Sequence, residues 1–175
     1  MTYQIDPQHS AAQFKVRHLM IANVKGEFDR VRGTVEFDPA NLPATKIEAV
    51  IDVASISTRE PDRDAHLKSA DFFDVGQYPE ITFKSTGAIA HGEGYKVTGD
   101  LTIHGVTKPV TLEVESVSAE IKDGWGFLRR GITAETTIHR PDFGLTFNMP
   151  MDGGGVVVGE KVHITLDVEI TRKPE

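Results

Sequence analysis

Val162-His163-Ile164-Thr165-Leu166-Asp167-Val168-Glu169-Ile170 alternates apolar and polar residues without a slip. Side chains two apart in an extended chain share a face, so this segment is a strand with one oily and one wet side. The same period recurs upstream. Val97, Gly99, Leu101 and Ile103 oppose Thr98, Asp100, Thr102 and His104. Ile47, Ala49, Ile51 and Val53 oppose Glu48 and Asp52, and Ile132, Ala134, Thr136 and Ile138 oppose Thr133, Glu135 and Thr137. Near the start, Ala12, Phe14, Val16 and His18 alternate with Gln13, Lys15 and Arg17.

Reading between breakers gives about eight strands, near 10–18, 22–37, 44–54, 80–90, 94–104, 108–122, 126–140 and 156–170. Asp38-Pro39, His91-Gly92-Glu93-Gly94, Gly105 to Pro109 and Asp123-Gly124 carry turn chemistry. The last reads as a hairpin. In the sixth strand the apolar parity is even at Val110, Leu112 and Val114 but odd at Val117, Ala119 and Ile121, which predicts a β-bulge near Ser116. Gly26, Asp29-Arg30 and Gly33 predict that the second strand bends sharply or splits. A short helix is expected at 61–70. Pro61 suits its first position, and Asp62 and Asp64 suit the positive end of its dipole. Interrupting a series of strands, it should lie across an end of what they build.

Eight antiparallel strands with one apolar face make a sandwich or a closed barrel. Closure removes both unpaired edges, and long strands with short connections favour an up-and-down barrel. The expected class is therefore all-β, an eight-stranded antiparallel up-and-down barrel with one short helix between strands 3 and 4. At this size the interior is either filled or holds one small ligand. Ala12, Ala49, Gly99, Ala134 and Thr136 on the inner face favour a vacant bore. Phe14, Phe28, Phe37, Phe83 and Phe127 supply enough bulk for the opposite outcome, a packed interior.

The 175 residues read as a single domain. Acidic residues outnumber basic ones by 26 to 19, and the charge of −7 forms no blocks, so no nucleic acid is expected as a partner. The absence of cysteine excludes disulfides and thiolate chemistry. The histidines (His9, His18, His66, His91, His104, His139 and His163) form no HExxH and no i,i+4 pair, so neither a metal nor a required cofactor is expected. Gly153-Gly154-Gly155 lacks the Lys-Ser/Thr ending of a phosphate loop and reads as a flexible turn. No GxSxG occurs. No run approaches the ~20 apolar residues of a membrane-spanning helix. The opening residues lack the apolar core of a secretory leader. A cytoplasmic location is expected for the chain as it stands, or a periplasmic one if a leader has been removed.

An ordered set of motifs then singles out a family. Ile5-Asp6, His9-Ser10, His18-Leu19 and Ser55-Ile56-Ser57-Thr58 are followed by Arg63-Asp64, His66-Leu67, Asp71-Phe72-Phe73-Asp74 and Tyr78-Pro79. Phe83-Lys84-Ser85-Thr86, the run Gly99-Asp100-Leu101-Thr102-Ile103-His104-Gly105-Val106-Thr107, and Arg140-Pro141-Asp142-Phe143-Gly144 complete it. This set closely resembles the YceI family of lipocalin-like domains. The resemblance implies a non-enzymatic protein that holds a long isoprenoid lipid or isoprenoid quinone in an apolar pore, in transport or storage and in stress responses. It also implies a homodimer, and exchange of ligand through transient membrane contact. The pore residues so implied are Phe14, Val16, Leu19, Met20, Phe28, Phe37, Ile51, Val53, Leu67, Phe72, Phe73, Phe83, Leu101, Ile103, Leu112, Ile132, Ile138, Phe143, Leu145, Phe147 and Leu166.

The polar residues keep two readings each. His18 shares the inward parity and is either a head-group contact or a hydrogen-bonded structural histidine. Arg140 and Asp142 either meet the head group or close a turn as an ion pair. Arg59 and Arg63 either meet a phosphate or cover a surface. Leu67, Phe72 and Phe73 are plugs or a lid. Two other functions compete: an enzyme on the same barrel using His18, Arg140 and Asp142, and an interaction module with a packed core.

Overall fold

The computed structural model describes residues 1–152 and 154–175. Its strands are β1 (Thr2–Ile5), β2 (Ala11–His18), β3 (Ala22–Phe28), β4 (Val31–Glu36), β5 (Lys46–Asp52), β6 (Ile56–Ser57), β7 (Glu80–His91), β8 (Gly94–Ile103), β9 (Val106–Val117), β10 (Ile121–Lys122), β11 (Leu128–His139) and β12 (Val158–Arg172). One α-helix, α1 (Pro61–Lys68), lies between β6 and β7.

The pairings close a ring. β1 and β2 form one staggered strand broken by a 3-10 turn at Pro7–His9, and both pair with β12. β3 and β4 form the next, joined across Asp29-Arg30, where the sequence predicts a bend. From there the wall runs β5, β7, β8, β9, β11, β12 and back to β1/β2, each neighbour antiparallel. Counted by these composite strands the barrel has eight members and one helix, as expected. β6 and β10 are short additions on β3 and β11.

Local irregularities follow the sequence. Thr133 pairs with Ser116 and Ala134 with Val114, so Glu115 is the extra residue of the predicted bulge. Beyond it only Val117 returns to the core; Ile121 is exposed because β9 ends at Val117. The Asp123 turn closes the β10–β11 hairpin: its side chain accepts from the amides of Trp125 and Phe127. Between β8 and β9 the loop is only His104-Gly105, with φ of 55° and 72°. That pair of positive angles matches the twist of the flanking strands. Val106 to Pro109 therefore belongs to β9 rather than to a turn. Tyr78 packs edge-on against His104, ring centroids 4.7 Å apart, so Tyr78-Pro79 and the most specific motif of the chain are two halves of one packing contact. The glycine turn is only partly described. Gly153 lies outside the described residues, and Gly154 and Gly155 take φ of 96° and 92°.

Besides the two-residue β6, β1 is the strand that the alternation leaves out. Tyr3 and Ile5 alternate with Thr2 and Gln4, but a run this short, ended by Asp6-Pro7, falls below what periodicity can distinguish. Its burial is nonetheless deep, with Tyr3 fully buried against Val31, Val35, Phe37 and Ile170. Ion pairs tie it in. Arg129 donates to Asp6, Asp123 and Glu169, and Arg172 to Glu120, which also accepts from the Tyr3 hydroxyl.

Candidate ligand cavity

The inner faces of the wall enclose a cavity of about 460 Å³. Such a volume lies within the range of small-molecule sites. On β12, Val158, Val162, Ile164, Leu166 and Val168 line it. Ten residue steps from Val158 to Val168 span about 33 Å along the strand, or about 25 Å along the axis at the usual barrel tilt. The site is a bore, not a dimple.

Two devices keep it open. Leu166 lies between Ala134 on one side and Ala12 on the other, so a large residue sits in a row of small ones. Two of the aromatic rings, in turn, lie against glycines. Phe14 pairs across the strands with Gly26, and a Cβ there would overlap its ring; Cε1 would lie 2.9 Å away. Phe83 lies over Gly99 in the same way. The rings are thereby absorbed into the wall instead of crossing the axis. This decides against the packed interior, even though Phe14, Phe28 and Phe83 all line the cavity.

The pore residues expected from the sequence divide cleanly. Phe14, Val16, Phe28, Ile51, Phe83, Leu101, Ile103, Leu112, Ile132, Ile138 and Leu166 line the bore from the strands. Leu67, Phe72, Phe73, Leu145 and Phe147 line it from α1 and the loops at one end. Five do not. Leu19 and Met20 form the β2–β3 turn with φ of 52° and 60°, which throws Met20 outward to 57% exposure. Val53 follows Ile51 in parity, but the chain leaves the wall at Asp52 and enters a 3-10 turn, burying Val53 outside the bore. Phe37 lies past the end of β4. It packs edge-on to Tyr95 at 5.8 Å, in a cluster that shares Val31, Val35 and Ile51 with the cavity wall, but does not itself line the cavity. Phe143 is buried in the 3-10 turn Arg140–Phe143, in the core cluster with Ile103, Ile138 and Leu145, and does not itself line the cavity.

Apart from Gln13 and Thr136, the polar residues on the cavity gather at the end that carries α1. Arg17, Arg63 and Arg140 reach it, with His18 and His66. No carboxylate lines it among the described residues, although the chain as a whole is acidic. Arg63, His66 and Leu67 stand at i, i+3 and i+4, one helix face. That spacing was the available signal for His66. Arg63 also holds the backbone, donating to the Thr58 hydroxyl and carbonyl, while Asp64 accepts from the Thr58 amide. His66 sits between Phe72 and Phe147, each ring 5.1 Å away, and its Nε2 meets Asp71 at 2.8 Å. Phe72 and Phe147 touch as well, so three rings from α1, its following loop and the 144–157 segment meet over this end.

Arg140 is buried and, among the described residues, has no ion-pair partner at hydrogen-bonding distance. It donates to the carbonyls of Gly159, Leu145 and Val158, and burial pushes its guanidinium below the ordinary value. The expected pair with Asp142 does not form. Asp142 is exposed on the outer side, 3.7 Å from His139. It lies away from the cavity because the 3-10 turn points successive side chains in different directions. His18 lines the mouth, half-buried, and its ring makes no hydrogen bond among the described residues. Arg59 lies apart, in a polar groove on the outer face of the wall. Asp6, His9 and Glu169 converge on the outside, but the Arg129 guanidinium donates to both carboxylates there and supplies the cation they would otherwise attract.

Fold and site together define a lipocalin-like barrel with an axial apolar cavity and a cationic mouth. The chain belongs to the YceI family: the YceI-like domain pattern matches residues 3–170. It is 41% identical over 165 residues to the UPF0312 protein VPA0850 of Vibrio parahaemolyticus, covering 93% of this chain and 85% of that one. Among solved structures it is similar to BcnA of Burkholderia cenocepacia, with a TM-score of 0.79, 26% identity and coverage of 94% and 98%. It shares its fold with a domain from Saccharophagus degradans described as polyisoprenoid-binding, at a TM-score of 0.68 and 17% identity, covering 98% of each chain.

Proposed function

We propose that this protein is a non-enzymatic carrier or store for a long isoprenoid lipid or isoprenoid quinone, held with its tail in the bore. One observation carries the reading: a continuous apolar cavity of about 460 Å³ running along the barrel axis. A wall of this kind has no use in a packed interaction module. The polyisoprenoid-binding domain of the same fold favours the same ligand class.

The tail points toward Phe37 and Tyr95, and the head lies among His18, Arg17, Arg63, His66 and Arg140. Electron-rich oxygens of a quinone or phosphate suit such a collar. Arg140 uses three of its donors on backbone carbonyls, and a guanidinium has five, so two remain for a ligand. A binding role is favoured over catalysis by where the displaced carboxyls lie; Arg140, the displaced group on the cavity, is a guanidinium already engaged by three backbone carbonyls. Asp6, Asp123 and Glu120, whose carboxyls are held below their usual range, stand outside the cavity. An enzyme would place such groups within reach of its substrate.

Burial is worth roughly 0.8 kcal/mol per methylene, so about twenty-five such groups already reach the ~20 kcal/mol ceiling of non-covalent affinity. The excess is offset by frozen torsions and by the ligand's alternative of staying in a bilayer. Length selectivity then follows the length of the bore. Organic extraction of the purified protein, followed by mass spectrometry, tests the reading. A prenylated lipid or quinone in the extract is expected; extracts empty of lipid from several expression hosts would overturn it.

A further inference from the structure

Three large apolar side chains at the cationic end of the barrel are exposed: Met20 at 57%, Ile21 at 79% and Met149 at 53%. They come from two segments that are stitched together. The Leu19 amide donates to the Val157 carbonyl at 2.8 Å, and Val157 donates to Met149 at 3.0 Å. Met20 also packs against the second segment, its sulfur 2.5 Å from where a Gly155 Cβ would stand. Met20 and Ile21 are held outward by a turn in which two non-glycine residues, Leu19 and Met20, take left-handed φ. That conformation costs free energy and is sparsely used by such residues. An ordinary turn here would carry Gly or Asn.

We infer that the Met20-Ile21 turn and Met149 form a membrane-docking tip, through which the barrel meets a lipid bilayer to load and unload its cargo. The inference rests on the lipid-binding reading above and adds the site of exchange. The occupant follows from continuity. Met149 and Val157 belong to the tip and also line the cavity, so an apolar path leads from the exposed tip into the bore. A lipid tail taking that path never crosses water. Three projecting side chains are far too few for a stable protein interface, which takes ~20–30 residues a side, but suffice to enter the headgroup region. Arg17 and Arg63, exposed at the same mouth, have the long stems that let a cation reach lipid phosphates while apolar neighbours insert.

Vesicle flotation of the full chain tests this, with vesicles of phosphatidylcholine alone and of phosphatidylcholine mixed with phosphatidylglycerol. Met20→Asn keeps the left-handed turn, and Ile21→Ser removes the most exposed apolar group of the tip. Neither residue lines the cavity, so the double variant keeps the wild-type melting temperature. The expected result is flotation of the wild type and a loss of vesicle partitioning on the order of tenfold or more in the double variant. Trp125, 84% exposed on the hairpin at the opposite end of β11, is the control, and Trp125→Ser floats like the wild type. Absence of wild-type flotation, equal flotation of the double variant, or loss in the Trp125 variant overturns the inference. The two readings fail separately: an extract empty of lipid sinks the cargo, whereas the flotation outcome decides the tip.

Discussion

Replacing Gly26 by Ala tests why the bore is open. The new methyl would overlap the Phe14 ring and lie 2.9 Å from Thr58 Cγ2, and every one of these neighbours is a side chain. Gly26 has an ordinary strand conformation, so Ala by itself would gain about 0.5–1 kcal/mol over Gly. Overpacking costs about 1–3 kcal/mol. With both at mid-range the balance is a net loss of about 1 kcal/mol, or a fall in Tm of roughly 2–4 °C for a domain of this size. The ring relieves the clash by swinging off the wall into the bore, so the variant also holds less lipid. Phe14→Leu removes the ring. Combined with Gly26→Ala it should recover most of the second loss, a coupling of about 1–2 kcal/mol in a double-mutant cycle. Urea unfolding of the four proteins and lipid quantification by mass spectrometry supply the numbers. A Gly26→Ala protein as stable as the wild type, or strictly additive effects, would refute the idea that glycine notches absorb the rings.

Arg140→Met should cost about 3 kcal/mol in urea unfolding, because the carbonyls of Gly159, Leu145 and Val158 lose their donor. Asp142→Asn should change stability by less than about 0.5 kcal/mol; a large effect there would revive the ion pair that the geometry lacks. Acid stability should depend on Arg129. Burial works against the Asp6 carboxylate, but the bonds from His9, Arg129 and the Gln8 amide outweigh it and hold its pKa down, and Arg129 does the same for Asp123. Carboxyls depressed on folding add stability that is present above about pH 4 and is lost as the pH falls through their folded values. Arg129→Met should therefore lower the neutral-pH midpoint and flatten the acid limb; parallel curves for the two proteins would contradict this. Finally, Phe72→Ala or Phe147→Ala opens the ring cluster around His66 and should speed release of a fluorescent prenyl lipid by about tenfold. Unchanged release rates would remove the lid role of these rings.

Much of this protein is written in its alternation. Because a strand's side chains have a period of two, Val162, Ile164, Leu166 and Val168 are committed to one face by their spacing alone, and they line the cavity together. The same arithmetic put a bulge near Ser116, from a change of parity inside one strand, and the register places the extra residue at Glu115. Parity fixes a face but not a height along the axis or the point where a strand leaves the wall. Phe37 and Val53 had the right faces and do not line the bore for those two reasons. Loop residues carry no period at all. Nothing local could tell that Met20 would point to solvent, or that Arg140 would give two of its donors to the carbonyls of Val158 and Gly159, nearly twenty residues away. Whether the interior was full or vacant also lay outside the sequence. Phe14 and Gly26 are twelve positions apart in the chain, and only the hairpin register sets the ring against the missing side chain. The oily and wet faces were decided by local geometry, and the empty axis by contacts between strands, which exist only once the barrel has closed.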